Sequence, residues 1–149
     1  VSIKNSREIT TSHNITMYTD RIFEGTDFSD ADMLVLPGGM PGTKYLGEYA
    51  PLQELLRGFY EKGGKVAAIC AAPSIFGSLG FLKNRKATAY PSFMGSLEGA
   101  EAVEDKVVVD GNVTTSRGLG TAIPFALSLI EQLLGKEKAE EIAESVVYS

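Results

Sequence analysis

The only cysteine of the chain, Cys70, stands where the small apolar run "KVAAIC" gives way to the helix-like "APSIFGSLGFL". A thiol set between a buried strand and a helix projects into the crevice beyond the strands' carboxyl ends, where open α/β sheets gather ligands. Ala68, Ala71 and Ala72 let the backbone turn tightly there. The free N–H groups and positive dipole of a helix start favour thiolate over thiol. Such a residue is equipped for nucleophilic catalysis. Position alone also fits a second reading, a small buried hydrophobe, as free cysteines often are.

A second candidate lies in "VLPGG", which ends an adjacent strand pattern. The paired N–H groups of Gly38 and Gly39 can form a nest for an oxyanion, although a simple tight turn also accounts for the pair. His13 is the only histidine, so any Cys–His catalysis must use it; its loop position also suits a solvated side chain. Gly118 and Gly120 precede a helix, but the third glycine of a dinucleotide fingerprint is missing and the segment follows a hairpin. Close approach of loop and sheet explains them better than phosphate binding. Arg117 is placed either to support the site or to pair locally. One cysteine and one histidine do not make a zinc set, so no metal is expected.

These residues need a scaffold, and the apolar pattern supplies one. Val1–Ile3 and Asn14–Asp20 read as strands, and Met33–Leu36 is continuously apolar, as in strands covered on both faces. Leu52, Leu55, Leu56 and Phe59 recur at helical spacing after Pro51, ending at Gly63-Gly64. Lys65–Cys70 is a buried strand, followed by a helix broken near Gly80, and Lys86–Tyr90 is a short strand. The acidic run "SLEGAEAVED" reads as a solvated loop. "KVVVDGNVTTS" is a hairpin turning at Asp110-Gly111-Asn112. Ile123 to Leu134 form the longest helix, closed by Gly135, and a last helix runs from Lys136 to Val146. Strands alternating with helices imply a single α/β domain over residues 1–149, built around a mostly parallel sheet with one β-hairpin.

Bulk properties narrow the class. A net charge of −5 argues against nucleic acid as the main partner. No apolar run is long enough for a membrane span and no signal-peptide pattern opens the chain. A lone free thiol points to the reducing cytoplasm.

The stretches "LVLPGGMPG", "AAICAAPSIFGSLGFL", "KATAYPS", "VDGNVTTSRGLGTAIPFALSLIE" and "LLGKEKAEEIAESVVY", in this order from Ser12 to Tyr148, resemble the ThiJ/PfpI superfamily. They look closest to the branch of the Parkinson-disease protein DJ and its bacterial relatives. The resemblance implies a flavodoxin-like three-layer sandwich, a homodimer and no cofactor. It makes Cys70 the nucleophile, with the Gly39 and Ala71 N–H groups holding an anion beside it, and Tyr90 and Pro91 lining the pocket. The implied activity is that of a glyoxalase or deglycase acting on small reactive carbonyls such as methylglyoxal. The alternative is a redox-sensing stress protein or chaperone, regulated by oxidation of Cys70.

Two departures from the family pattern stand out. Many relatives carry a histidine before the proline of "KATAYPS", where this chain has Tyr90. A Cys–His pair at that place is thereby excluded, and Tyr90 is left to donate a hydrogen bond to substrate or to pack as an aromatic wall. The family's first strand and helix, with the glutamate that serves the cysteine as acid–base group, would precede Val1. The chain is therefore expected to be a fragment or one piece of a cleaved protein. An unpaired sheet edge and a bare apolar surface behind Val66–Ile69 are expected with it.

Overall fold

Short β-branched and small apolar runs build the sheet, and Pro and Gly delimit the helices between them. The computed structural model describes all 149 residues. In chain order the elements are β1 (Glu8–Thr10), β2 (Thr16–Tyr18), β3 (Met33–Leu36), α1 (Gly42–Glu48), α2 (Ala50–Glu61), β4 (Lys65–Ile69) and α3 (Pro73–Ser78). Then follow β5 (Lys86–Ala87), β6 (Glu101–Ala102), β7 (Val107–Asp110), β8 (Val113–Ser116), α4 (Ala122–Leu134) and α5 (Lys136–Ser145). The central sheet has the order β3-β4-β8-β7. Its first three strands are parallel and β7 runs antiparallel to β8.

The register separates two faces, because successive side chains point to opposite sides of a strand. Leu34, Val66 and Val113 align across the sheet, as do Val35, Ala67 and Thr114 one residue on. The first set, with Leu36 and Ala68, packs against Leu52 and Leu56 of α2 and Ile75 and Phe76 of α3. On the second face, the Gln132 amide of α4 donates to Thr114 Oγ1 at 3.0 Å. Lys65 Nζ donates to the Gln132 carbonyl at 3.1 Å. Helices thus cover both faces, and the three-layer α/β sandwich is the observed fold. No helix is long and apolar enough to cross a membrane.

Several local expectations change. Val1–Ile3 forms no strand; Ser2 makes a single bridge to Ile22. The second strand shortens to β2 and pairs antiparallel with β1, a partner that its polar sequence does not announce. Helix α1 has no apolar period to reveal it; it starts where the Thr43 N–H reaches the Gly39 carbonyl at 2.8 Å. The strand expected over Lys86–Tyr90 ends at Ala87 and pairs with β6, inside the acidic run taken for a solvated loop. Strand β3 is a sheet edge. The bare apolar position falls on its Val35, 46% exposed, whereas Val66, Ala67 and Ala68 are fully covered.

A polar clamp fixes the end of the sheet remote from Cys70. Arg85 Nη1 donates to the Asp110 carbonyl at 2.8 Å, and Nη2 reaches Asn112 Oδ1 at 3.2 Å and Tyr60 Oη at 3.3 Å. Asn112 in turn donates to the Gly64 carbonyl at 2.8 Å. Arg85→Ala strands these acceptors in a half-buried site and is expected to cost about 1.5–3 kcal/mol in urea unfolding. Arg85→Lys restores little of it, since an ammonium lacks the planar fork.

Candidate active site

Cys70 adopts φ +65°, a left-handed conformation that non-glycine residues rarely take and that ends β4 abruptly. Tertiary contacts hold it there. Its N–H donates to the Ser116 carbonyl of β8 at 3.0 Å, and its carbonyl accepts from the Tyr90 N–H at 2.9 Å. Just beyond the turn, the Ser74 hydroxyl donates to the Ala71 carbonyl at 2.6 Å. The sulfur is a free, half-buried thiol.

Gly38 lies against this turn so closely that a Cβ on it would sit 2.5 Å from Cys70 Cβ and 2.8 Å from the Ile69 carbonyl oxygen. The same point is 3.3 Å from the Ala71 nitrogen, so the two glycine-side and cysteine-side turns meet in one place. Gly39 follows at φ +92°. Neither the Gly39 nor the Ala71 N–H donates to a backbone acceptor. Ala71 is 2% exposed, and buried backbone N–H groups without a partner are rare outside sites that receive a ligand. Cys70, Gly38, Gly39 and Ala71 therefore form one cluster with two donors left over, an arrangement suited to an oxyanion.

The other candidates divide. Tyr90 and Gly118 belong with the cluster: a Cβ on Gly118 would lie 3.4 Å from Tyr90 Cδ2 and 3.9 Å from Cys70 Sγ. Gly118 is buried, in keeping with close approach of loop and sheet. Pro91 opens a 3₁₀ turn, Pro91–Ser96, and is exposed, so it shapes the chain after Tyr90. Arg117 is engaged elsewhere: its Nη1 sits 3.8 Å from Glu104 Oε2 and donates to the Glu104 carbonyl at 3.3 Å. His13 is exposed, with Nδ1 3.2 Å from Ser12 Oγ. Its loop does approach the cluster, since Ser12 Oγ would be 3.4 Å from a Cβ on Gly39.

Sequence reasoning missed Ser116 and Ser12. Both come close to the cluster across long chain separations, Ser116 through its carbonyl and Ser12 beside Gly39, and neither carries a local signal. An open cavity of about 670 Å³, lined by Asp27, Asp32, Glu54 and Lys62 among others, lies elsewhere. Its Asp32 and Gly64 immediately precede β3 and β4, so it sits at the amino ends of the strands, and Cys70 is not among its lining residues. No three His, Cys, Asp or Glu side chains converge as a metal set would.

Residues 1–132 match the DJ-1/PfpI family. The chain belongs to that family. Among DJ-1/PfpI relatives, it is 42% identical to Protein DJ-1 homolog B of Arabidopsis thaliana over 98% of this chain, which is 34% of the relative. It is 31% identical to a Schizosaccharomyces pombe protein named glutathione-independent glyoxalase DJ-1, over 98% of this chain and 80% of that one. The structure of oxidized Toxoplasma gondii DJ-1 superposes with a TM-score of 0.94 at 34% identity, covering 99% of this chain and 81% of that one. The chain thus spans about a third of the length of the plant relative and 63% of that of the Drosophila melanogaster protein dj-1beta. The flavodoxin-like DJ-1 architecture is shared with these neighbours.

Proposed function

We propose that the protein is a thiol-dependent, cofactor-free enzyme that converts small 2-oxoaldehydes such as methylglyoxal to 2-hydroxy acids, with Cys70 as nucleophile. The observation that carries this reading is the left-handed Cys70 turn with the unpartnered Gly39 and Ala71 N–H groups beside it. Relatives in Schizosaccharomyces pombe and Caenorhabditis elegans bear the name glutathione-independent glyoxalase, which supports it.

The thiolate adds to the aldehyde carbon, and the carbonyl electron pair moves onto oxygen, where the two N–H groups stabilise the charge. A base then takes the C1 proton and returns it to C2, leaving a thioester. Water attacks the thioester, and the 2-hydroxy acid leaves with the thiol restored. His13 is bonded to Ser12 and is not assigned the base. The family resemblance assigns that role to a carboxylate. Glycated adducts with an equivalent carbonyl are substrates of the same chemistry.

The test is lactate formation from methylglyoxal by the full-length gene product without glutathione, with and without prior alkylation of Cys70. Turnover that survives complete alkylation sinks the reading.

A second reading is supported by the free N–H pair and by the neighbouring structure described as oxidized. Peroxide oxidises the thiolate to sulfenate and then sulfinate, releasing one water at each step, and the same donors hold the anion. A sensor then gains a binding activity with the added oxygen atoms, whereas an enzyme only loses turnover. Exposed Ile15, Met17 and Tyr18 on the small β1–β2 hairpin support assembly as a homodimer, which light scattering reads directly.

A further inference from the structure

We infer that the site favours carbonyl substrates bearing a flat aromatic group, and that the ring of Tyr90 is the surface that selects them. The space a Cβ on Gly118 would fill lies 3.4 Å from the edge of the Tyr90 ring and 3.9 Å from Cys70 Sγ. With glycine there, a slot stays open between ring and sulfur. The ring is anchored yet accessible. Tyr90 is tied to the turn by its N–H bond to the Cys70 carbonyl at 2.9 Å. Its backbone is extended, at φ −58° and ψ 142°, ahead of Pro91, which restricts it further. It is nevertheless 49% exposed.

The residues that follow the two glycines are apolar and exposed: Met40, after Gly39, is 46% exposed, and Leu119, after Gly118, is 91% exposed. The nearby cation, Arg117, is taken up by Glu104. A methyl substituent covers little of the exposed ring, whereas an aryl group stacks on it in the offset geometry that aromatic pairs prefer. Phenylglyoxal-like 2-oxoaldehydes are thus the favoured class. This rests on the reading that Cys70 is the reacting group.

The experiment measures alkylation of Cys70 in the native full-length protein by phenacyl bromide and by bromoacetone, with the adduct located by peptide mass spectrometry. In both cases the thiolate sulfur bonds to the CH₂ carbon and bromide leaves with the C–Br electron pair. The phenacyl-to-acetonyl rate ratio on Cys70 is divided by the same ratio for N-acetylcysteine. The expected quotient is about fivefold or more. Tyr90→Ala should bring it close to unity, while Tyr90→Phe, which keeps the ring, retains it. Tyr90→Leu, which keeps bulk without a flat face, makes the same comparison should the alanine variant fail to fold. A quotient near unity in the unmodified protein, one unchanged in Tyr90→Ala, or a Cys70 inert to both reagents overturns the inference. Alkylation needs no turnover, so failure of the enzyme reading shows separately, as glyoxal turnover that persists without Cys70.

Discussion

Cys70→Ser is expected to lower methylglyoxal turnover on the order of 10⁴-fold or more, the scale seen when a covalent nucleophile is removed. The hydroxyl keeps the size of the side chain but is almost wholly un-ionised at neutral pH, and adds to the aldehyde far more slowly than a thiolate. No second thiol stands in the cluster to replace it: Cys70 is the only cysteine, and its neighbours are the backbone of Gly38, Gly39 and Ala71 and the ring of Tyr90. Stability should change little, within about 1 kcal/mol. The left-handed turn is held by the bonds to Ser116 and Tyr90, which are backbone bonds that the substitution leaves in place. Turnover, followed as lactate formation, and thermal unfolding of the same preparation separate lost chemistry from lost folding. A serine variant with near-normal turnover removes Cys70 from the mechanism.

Gly38→Ala should damage both the fold and the site although it adds one methyl group. That methyl would stand 2.5 Å from Cys70 Cβ and 2.8 Å from the Ile69 carbonyl oxygen. Neither contact is the movable end of a long side chain, so relief requires the β3 and β4 ends to separate. Overpacking of this kind costs about 1–3 kcal/mol. The same shift moves the sulfur relative to the Gly39 donor, and a displacement near 1 Å costs about 10²-fold in rate. Urea unfolding and turnover should therefore fall together. Gly58→Ala in α2 is the control, because apart from its chain neighbours and its own helix backbone nothing lies within 4 Å of its Cβ position. Full turnover by Gly38→Ala would show that the two turns do not need to touch.

What was legible in the sequence is what local chemistry encodes. The apolar run Lys65–Ile69 followed by Cys70 and small residues announces a strand that turns beside a thiol. The β-branched runs flanking Gly111-Asn112 announce the β7–β8 hairpin, and the periodic apolar residues of α2 and α4 announce their helices. Residues with weak or misleading local patterns were not legible. Helix α1 has no apolar face to read. The β5–β6 pair joins Ala87 to Ala102 across an acidic stretch and exists only through tertiary pairing.

By itself, then, the sequence determined the α/β class, the position of the nucleophile candidate and the glycine turn opposite it, because each is written within a few neighbouring residues. Only the tertiary structure decided that Gly38 abuts Cys70, that Ser116 and Tyr90 hold the left-handed turn, and that Gly118 keeps a slot open beside the sulfur. It also turned Arg117 to Glu104 and left His13 on the surface with Ser12. Those outcomes depend on distances between residues up to some tens of positions apart in the chain. Such distances are set by how β3, β4 and β8 pack side by side, and no short stretch of sequence carries that information.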